Sequence, residues 1–117
     1  MTEPTLTLEA LVFETIEIDV SNHILTIRLN RPERKNAINP TMAAEIIYAL
    51  DYAKQERDIR VIVLAANGDV FCAGGDLASM SGKGKDSVST VPVRGGADDI
   101  ALRLRHLNKP SIACVQG

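Results

Sequence analysis

Between Cys72 and Leu77 the chain reads Cys-Ala-Gly-Gly-Asp-Leu, the stretch whose residue types and spacing point most directly to chemistry. Gly74 and Gly75 put no side chain between the backbone and a ligand, and Asp76 to Met80 is expected to form one helical turn. The N-terminus of such a turn faces back toward the glycines and favours negative charge there. Asp76 reads equally well as a helix N-cap or first-turn acid that pairs with free N–H groups. Cys72 stands beside this stretch, but only the same helix terminus would activate its thiol, so it is not taken as a nucleophile.

Other chemistries find less support. Gly82-Lys83-Gly84-Lys85-Asp86-Ser87 looks like a phosphate loop, yet it lacks the spacing between glycines and the preceding buried strand that such a loop needs. Cys72 and Cys114 show neither CxxC spacing nor neighbouring histidines, which excludes a disulfide framework and a structural zinc site and fits a reducing, cytoplasmic setting. His23 reads as a turn residue and His106 as a helix-surface residue rather than as metal ligands. With 45% hydrophobic residues, 24% charged residues and a net charge of -2, the 117 residues have the profile of a globular domain with no basic field for nucleic acid. The first ten residues lack the basic-then-apolar order of a secretory signal, and no apolar run reaches membrane-spanning length.

The elements that must position the glycines follow from periodicity. Ile16, Ile18 and Val20 alternate with Glu17 and Asp19, and Leu25, Ile27 and Leu29 alternate with Thr26 and Arg28, so two strands joined at Ser21-Asn22-His23 form a hairpin. A polar loop from Asn30 to Asn36 leads to Asn39-Pro40, an N-cap followed by proline at the first helical position. The helix is expected from Pro40 to Gln55, with Met42, Ala43, Ile46, Ile47, Leu50 and Ala53 on one core-facing stripe and the other face polar. Val61 to Ala66 reads as a strand covered on both faces. Ser79 to Gly96 is aperiodic and reads as a long mobile loop. An amphipathic helix is expected from Ala97 to Leu107, built on Ile100, Leu102, Leu104 and Leu107 and stopped at Lys109-Pro110, and Ser111 to Val115 reads as a buried strand.

Three segments in register then carry a resemblance. Leu29-Asn30-Arg31-Pro32-Glu33-Arg34-Lys35-Asn36-Ala37-Ile38-Asn39, Phe71-Cys72-Ala73-Gly74-Gly75-Asp76-Leu77 and Lys109-Pro110-Ser111-Ile112-Ala113-Cys114-Val115-Gln116-Gly117 resemble the crotonase superfamily, the enoyl-CoA hydratase/isomerase family, in order and spacing. The resemblance implies an α/β fold, a crotonase-like spiral of strand-strand-helix units, of which residues 13–117 would form the N-terminal half after an extension at 1–12, with the mobile loop at 79–96. It implies a core of Ile18, Ile27, Ile46, Leu50, Ile62, Leu64 and Ile112, and a chain that stops part-way through the fold.

For function, the resemblance implies an acyl-CoA-processing enzyme that stabilises a thioester enolate with backbone N–H groups. The backbone N–H of Gly75 would be the first oxyanion donor, with Ala73, Gly74, Gly75, Asp76 and Leu77 along the pantetheine and thioester, and Arg34, Lys35 and Ala37 over the adenine end of coenzyme A. Arg34 and Lys35 could meet the nucleotide phosphates, or could simply be charges on a solvated turn. Coenzyme A enters as part of the substrate, with no covalently bound cofactor and no metal. The partners implied are the acyl-CoA thioester and further copies of the chain in a trimer or hexamer, with no membrane. The family's second donor and its acid/base glutamates match no residue in this chain, so the chain would be inactive alone. Two alternatives remain: a non-catalytic acyl-CoA-binding or assembly module, and another reaction of the same superfamily, such as hydrolysis, decarboxylation or dehalogenation.

Overall fold

The computed structural model describes residues 5–72 and 88–115. Strand β1 (Ile16–Ser21) and strand β2 (Ile24–Leu29) form the expected hairpin, paired from Ile16 opposite Leu29 to Ser21 opposite Ile24. The link is only Asn22-His23, and both residues have positive φ, 52° and 68°. That is the two-residue turn whose twist suits a hairpin, and asparagine tolerates it well.

Helix α1 (Pro40–Gln55) has the expected bounds, with Pro40 at its first position and the Asn39 side chain accepting from the Met42 N–H at 2.8 Å. It carries the chain across the sheet to strand β3 (Val61–Ala66), which pairs parallel with β2, Leu25 opposite Ile62 and Ile27 opposite Leu64. Helix α2 (Ile100–Arg105) follows a 3-10 turn at Ala97–Asp99, and strand β4 (Ser111–Ala113) pairs parallel with β3. The sheet order is therefore β1-β2-β3-β4. Leu25, Ile27, Leu29 and Ile62 on the sheet meet Met42, Ile46, Ala49, Leu50 and Ala53 of α1 in one core.

The mixed α/β architecture stands, and four details of the reading change. Helix α1 is not polar on its far face: Ala44, Glu45 and Tyr48 are buried as well as the expected stripe. The cover is the segment from Leu6 to Thr15, which lies along the helix. Gln55 exchanges two side-chain hydrogen bonds with the backbone of Leu6, Tyr48 does the same with Thr7, and the rings of Phe13 and Tyr48 meet edge-on at 6.5 Å.

Ile112 leaves the expected core. The register sets Ser111 beside Ile62 and Ala113 beside Leu64, so Ile112 lies beside Val63 on the face turned away from α1, and it is 55% exposed. Strand β3 is not fully enclosed either: among the described residues Ile62 is buried, while Val61, Val63, Leu64, Ala65 and Ala66 are partly open. In α2, Ile100 and Leu104 pack on the core and Leu107 is buried just beyond it, whereas Leu102 is half exposed, because residues two positions apart on a helix face different ways.

Segment 88–96 has no helix or strand. It is tied to the rest of the chain by a reciprocal pair of bonds, Val12 N–H to the Thr90 hydroxyl at 2.8 Å and Thr90 N–H to the Val12 carbonyl at 3.0 Å, and Val91 is buried. The expected helical turn at Asp76–Met80 lies outside the described residues.

Candidate active site

Strand β2 ends at Leu29, and the polar loop after it folds as a 3-10 turn at Pro32–Arg34 followed by two left-handed residues, Lys35 and Asn36, with φ of 53° and 56°. This brings the Asn36 N–H back to the Arg31 carbonyl at 2.8 Å, and the Arg31 guanidinium donates to the Ala37 carbonyl. The loop is thus closed by its own backbone before it reaches α1. Arg34 and Lys35 are exposed on its outside, and Ala37 is half-buried beside Asn36.

Asn36 itself has no exposed surface. Its Oδ1 accepts from the Arg31 N–H at 2.7 Å, and its Nδ2 donates to the carbonyls of Asn67, at 2.8 Å, and Val70, at 2.7 Å. Those carbonyls belong to the turn that leaves β3 and leads to Cys72. On the same turn Gly68 has φ of +91°, and a Cβ added there would lie 2.8 Å from the Cβ of Pro32. Real side-chain carbons do not approach so closely, so glycine is required twice over, by its backbone angle and by the contact. Asn67 completes the junction: its N–H reaches the Leu29 carbonyl at 2.8 Å, and its side chain donates to Glu17 and Asn30, both at 3.0 Å.

Of the expected site residues, the structure places Arg34, Lys35 and Ala37 on this loop and joins the loop to the segment that runs into Cys72. Ala73, Gly74, Gly75, Asp76 and Leu77 lie outside the described residues. A cavity of about 420 Å³ opens beside the N-terminus of α1, between Ile38, Asn39 and Ala43 on one side and Val93 and Gly96 on the other. Arg34, Lys35 and Ala37 do not line it. Among the described residues no cluster of His, Cys, Asp or Glu is arranged to hold a metal ion.

Two further charged groups hold the frame behind the loop. Asp51 of α1 takes the guanidinium groups of Arg94 at 2.7 Å and Arg103 at 2.9 Å, clamping both the 88–96 segment and α2 onto the helix. Burial pushes the Asp51 carboxyl up, but hydrogen bonds from Arg103 and Arg94 outweigh it and hold the carboxyl below the usual carboxylate range. Lys109 donates from Nζ to the Ala53 carbonyl and to the Glu56 carbonyl at 2.7 Å, closing the C-terminus of α1. Burial lowers the Lys109 pKa, offset in part by the charge of Glu56.

Sequence reasoning quoted Asn36 and Lys109 within motifs and gave neither a task. The signal available was their spacing relative to the other motif residues; what they bind, backbone carbonyls more than thirty residues away in each case, has no sequence signature.

The profile of the enoyl-CoA hydratase/isomerase family matches residues 19–117. The chain belongs to that family. A trans-2-decenoyl-acyl-carrier-protein isomerase of Streptococcus mutans is 35% identical over 107 residues, which are 90% of this chain and 41% of that protein. The probable enoyl-CoA hydratase EchA14 of Mycobacterium tuberculosis is 29% identical over 105 residues, 90% of this chain and 40% of its own length. Among solved structures, a probable enoyl-CoA hydratase from Mycobacterium smegmatis superposes with a TM-score of 0.68 at 37% identity, over 88% of this chain and 41% of that one. The enoyl-CoA hydratase EchA8_6 of Mycobacterium marinum gives 0.74 at 31% identity, over 87% and 48%. The chain therefore spans about two-fifths of the length of the curated relatives it matches.

Proposed function

We propose that this chain supplies the N-terminal part of an acyl-CoA-processing active site of the enoyl-CoA hydratase/isomerase type. The observation that carries the reading is the junction at Asn36, which fastens the loop bearing Arg34, Lys35 and Ala37 to the segment entering Cys72 and the glycines after it. One loop would meet the nucleotide end of coenzyme A and the other the thioester. Membership of the family supports the same assignment.

The chemistry asks for very little from side chains at this end of the site. When water adds to a 2-enoyl thioester, its oxygen bonds to the β-carbon and the electron pair of the double bond moves toward the thioester carbonyl, leaving an enolate oxygen. The α-carbon then takes up a proton. A backbone N–H aimed at that oxygen stabilises the charge as it develops without reorganising, and one such donor is worth about a hundred- to thousandfold in rate. In this reading the Gly75 N–H is that donor, and Ala73, Gly74, Asp76 and Leu77 lie along the thioester. The acid and base that handle the water and the α-proton are assigned to no residue of this chain, and the chain is inactive alone. Assembly as a trimer or hexamer belongs to the same proposal.

The test is a crotonyl-CoA hydration assay that follows loss of the conjugated thioester absorbance, run on purified chain whose intact mass has been measured. Binding without turnover at the mass of this chain is the expected result. Turnover at that mass would contradict the claim that the acid and base lie elsewhere. Because one relative is named for an acyl-carrier-protein substrate, the carrier is the first feature of the ligand to vary.

A further inference from the structure

We propose that Asn36 is a positioning residue that sets the separation between the nucleotide end and the thioester end of a bound acyl-CoA; the inference deepens the reading above and rests on it. An uncharged amide is the side chain that can do this. Asn36 uses Oδ1 to accept from Arg31 inside its own loop, and both N–H bonds of Nδ2 to hold the carbonyls of Asn67 and Val70 in the other. A carboxylate of the same shape keeps the acceptor but has no N–H to give, and it would set oxygen against two carbonyl oxygens. A shorter side chain reaches neither.

A second contact fastens the same two segments elsewhere. Gly68 lies directly on Pro32 with no room for a side carbon, so the turn after β3 and the 3-10 turn after β2 touch at a point distinct from the amide. One contact fixes a distance, whereas two fix an orientation as well. Asn67 then ties the pair to Asn30 and Glu17 at the end of the sheet. The 31–37 loop and the 67–72 segment are thereby built as one piece, with Asn36 at its centre and fully enclosed.

A ligand held at both ends gains affinity from the second contact only when the spacing of the two contacts matches its own length. Asn36 touches neither end and acts through the two backbones it joins. Loosening it should weaken the whole ligand far more than a fragment that engages one end.

The experiment measures, by calorimetry, the affinities of wild type and Asn36→Asp for crotonyl-CoA and for the adenosine bisphosphate fragment of coenzyme A. Asp51→Asn, which releases α2 and the 88–96 segment without touching the junction, is the control for general destabilisation. The expected result is a loss of about tenfold or more for crotonyl-CoA in Asn36→Asp, with fragment affinity within about twofold of wild type, and no such split in Asp51→Asn. If Asn36→Asp binds both ligands as wild type does, or loses both in proportion, the positioning role is overturned while the acyl-CoA reading stands. If wild type binds neither ligand, the reading fails and the inference falls with it. Should Asn36→Asp fail to fold, Gly68→Ala, which pries the same two segments apart from the Pro32 side, is judged by the same split.

Discussion

Glu45, fully buried in the middle of α1, accepts from Thr15 twice with one carboxylate oxygen, at 2.7 Å from the backbone N–H and 2.5 Å from the hydroxyl, while its other oxygen takes the Glu14 N–H at 2.6 Å. A helix side chain thus takes the backbone N–H groups of residues 14 and 15, and it locks the N-terminal segment over α1 just before β1 begins.

Glu45→Ala should therefore cost about 3 kcal/mol, since it strands buried N–H groups rather than merely losing contacts. Glu45→Gln keeps an acceptor oxygen and should cost about 1 kcal/mol. Urea unfolding of the two variants checks the order, and limited proteolysis should cut the Ala variant first between residues 5 and 14.

Asp51 predicts a specific acid response. Its folded pKa lies below its unfolded value, so the clamp contributes stability that is complete above about pH 4 and is lost as pH falls through the folded pKa. Asp51→Asn should be about 1 kcal/mol less stable at neutral pH, a figure kept small because Arg94 and Arg103 are 39% and 30% exposed. The two stability curves should converge in acid; a constant gap down to pH 2 would mean the charge is not what holds the clamp.

Lys109→Met removes the ammonium from the Ala53 and Glu56 carbonyls while keeping the aliphatic stem, and should cost about 2 kcal/mol. Amide exchange resolves where. The last turn of α1 should exchange faster and its first turn, capped by Asn39, should not.

Among the described residues strand β4 is the edge of the sheet, with Ile112 55% exposed and Val115, just beyond it, 71% exposed. Such an edge promotes self-association, which sedimentation velocity should detect as concentration rises. Ile112→Lys should suppress it and change stability by no more than about 0.5 kcal/mol, because that side chain faces away from the core.

How far the sequence reaches is clearest along α1. Asn39-Pro40 marks its start to the residue, and alternation marks both strands of the hairpin, because caps and periodicity are local. The cover on the far face of the helix was not legible, because the partners of Glu45 at Glu14 and Thr15 are set by tertiary packing, which spacing does not encode. Ile112 misled for a related reason: an apolar residue in a β-branched run reads as core, and only the register with β3 shows which face it takes. At the site, the letters Pro32 and Asn36 were legible as pattern, and Gly68 was not singled out. That the three are contacts of one junction was not legible.

The central claim, that this chain presents the Gly75 N–H to a thioester oxygen, is tested most directly by the infrared stretch of the thioester carbonyl of crotonyl-CoA bound to the chain. A hydrogen bond to that oxygen lowers its frequency, so the predicted result is a downward shift on binding to wild type that disappears in Gly75→Pro, which has no N–H to donate. Binding with an unshifted carbonyl, or a shift that survives in Gly75→Pro, would contradict it.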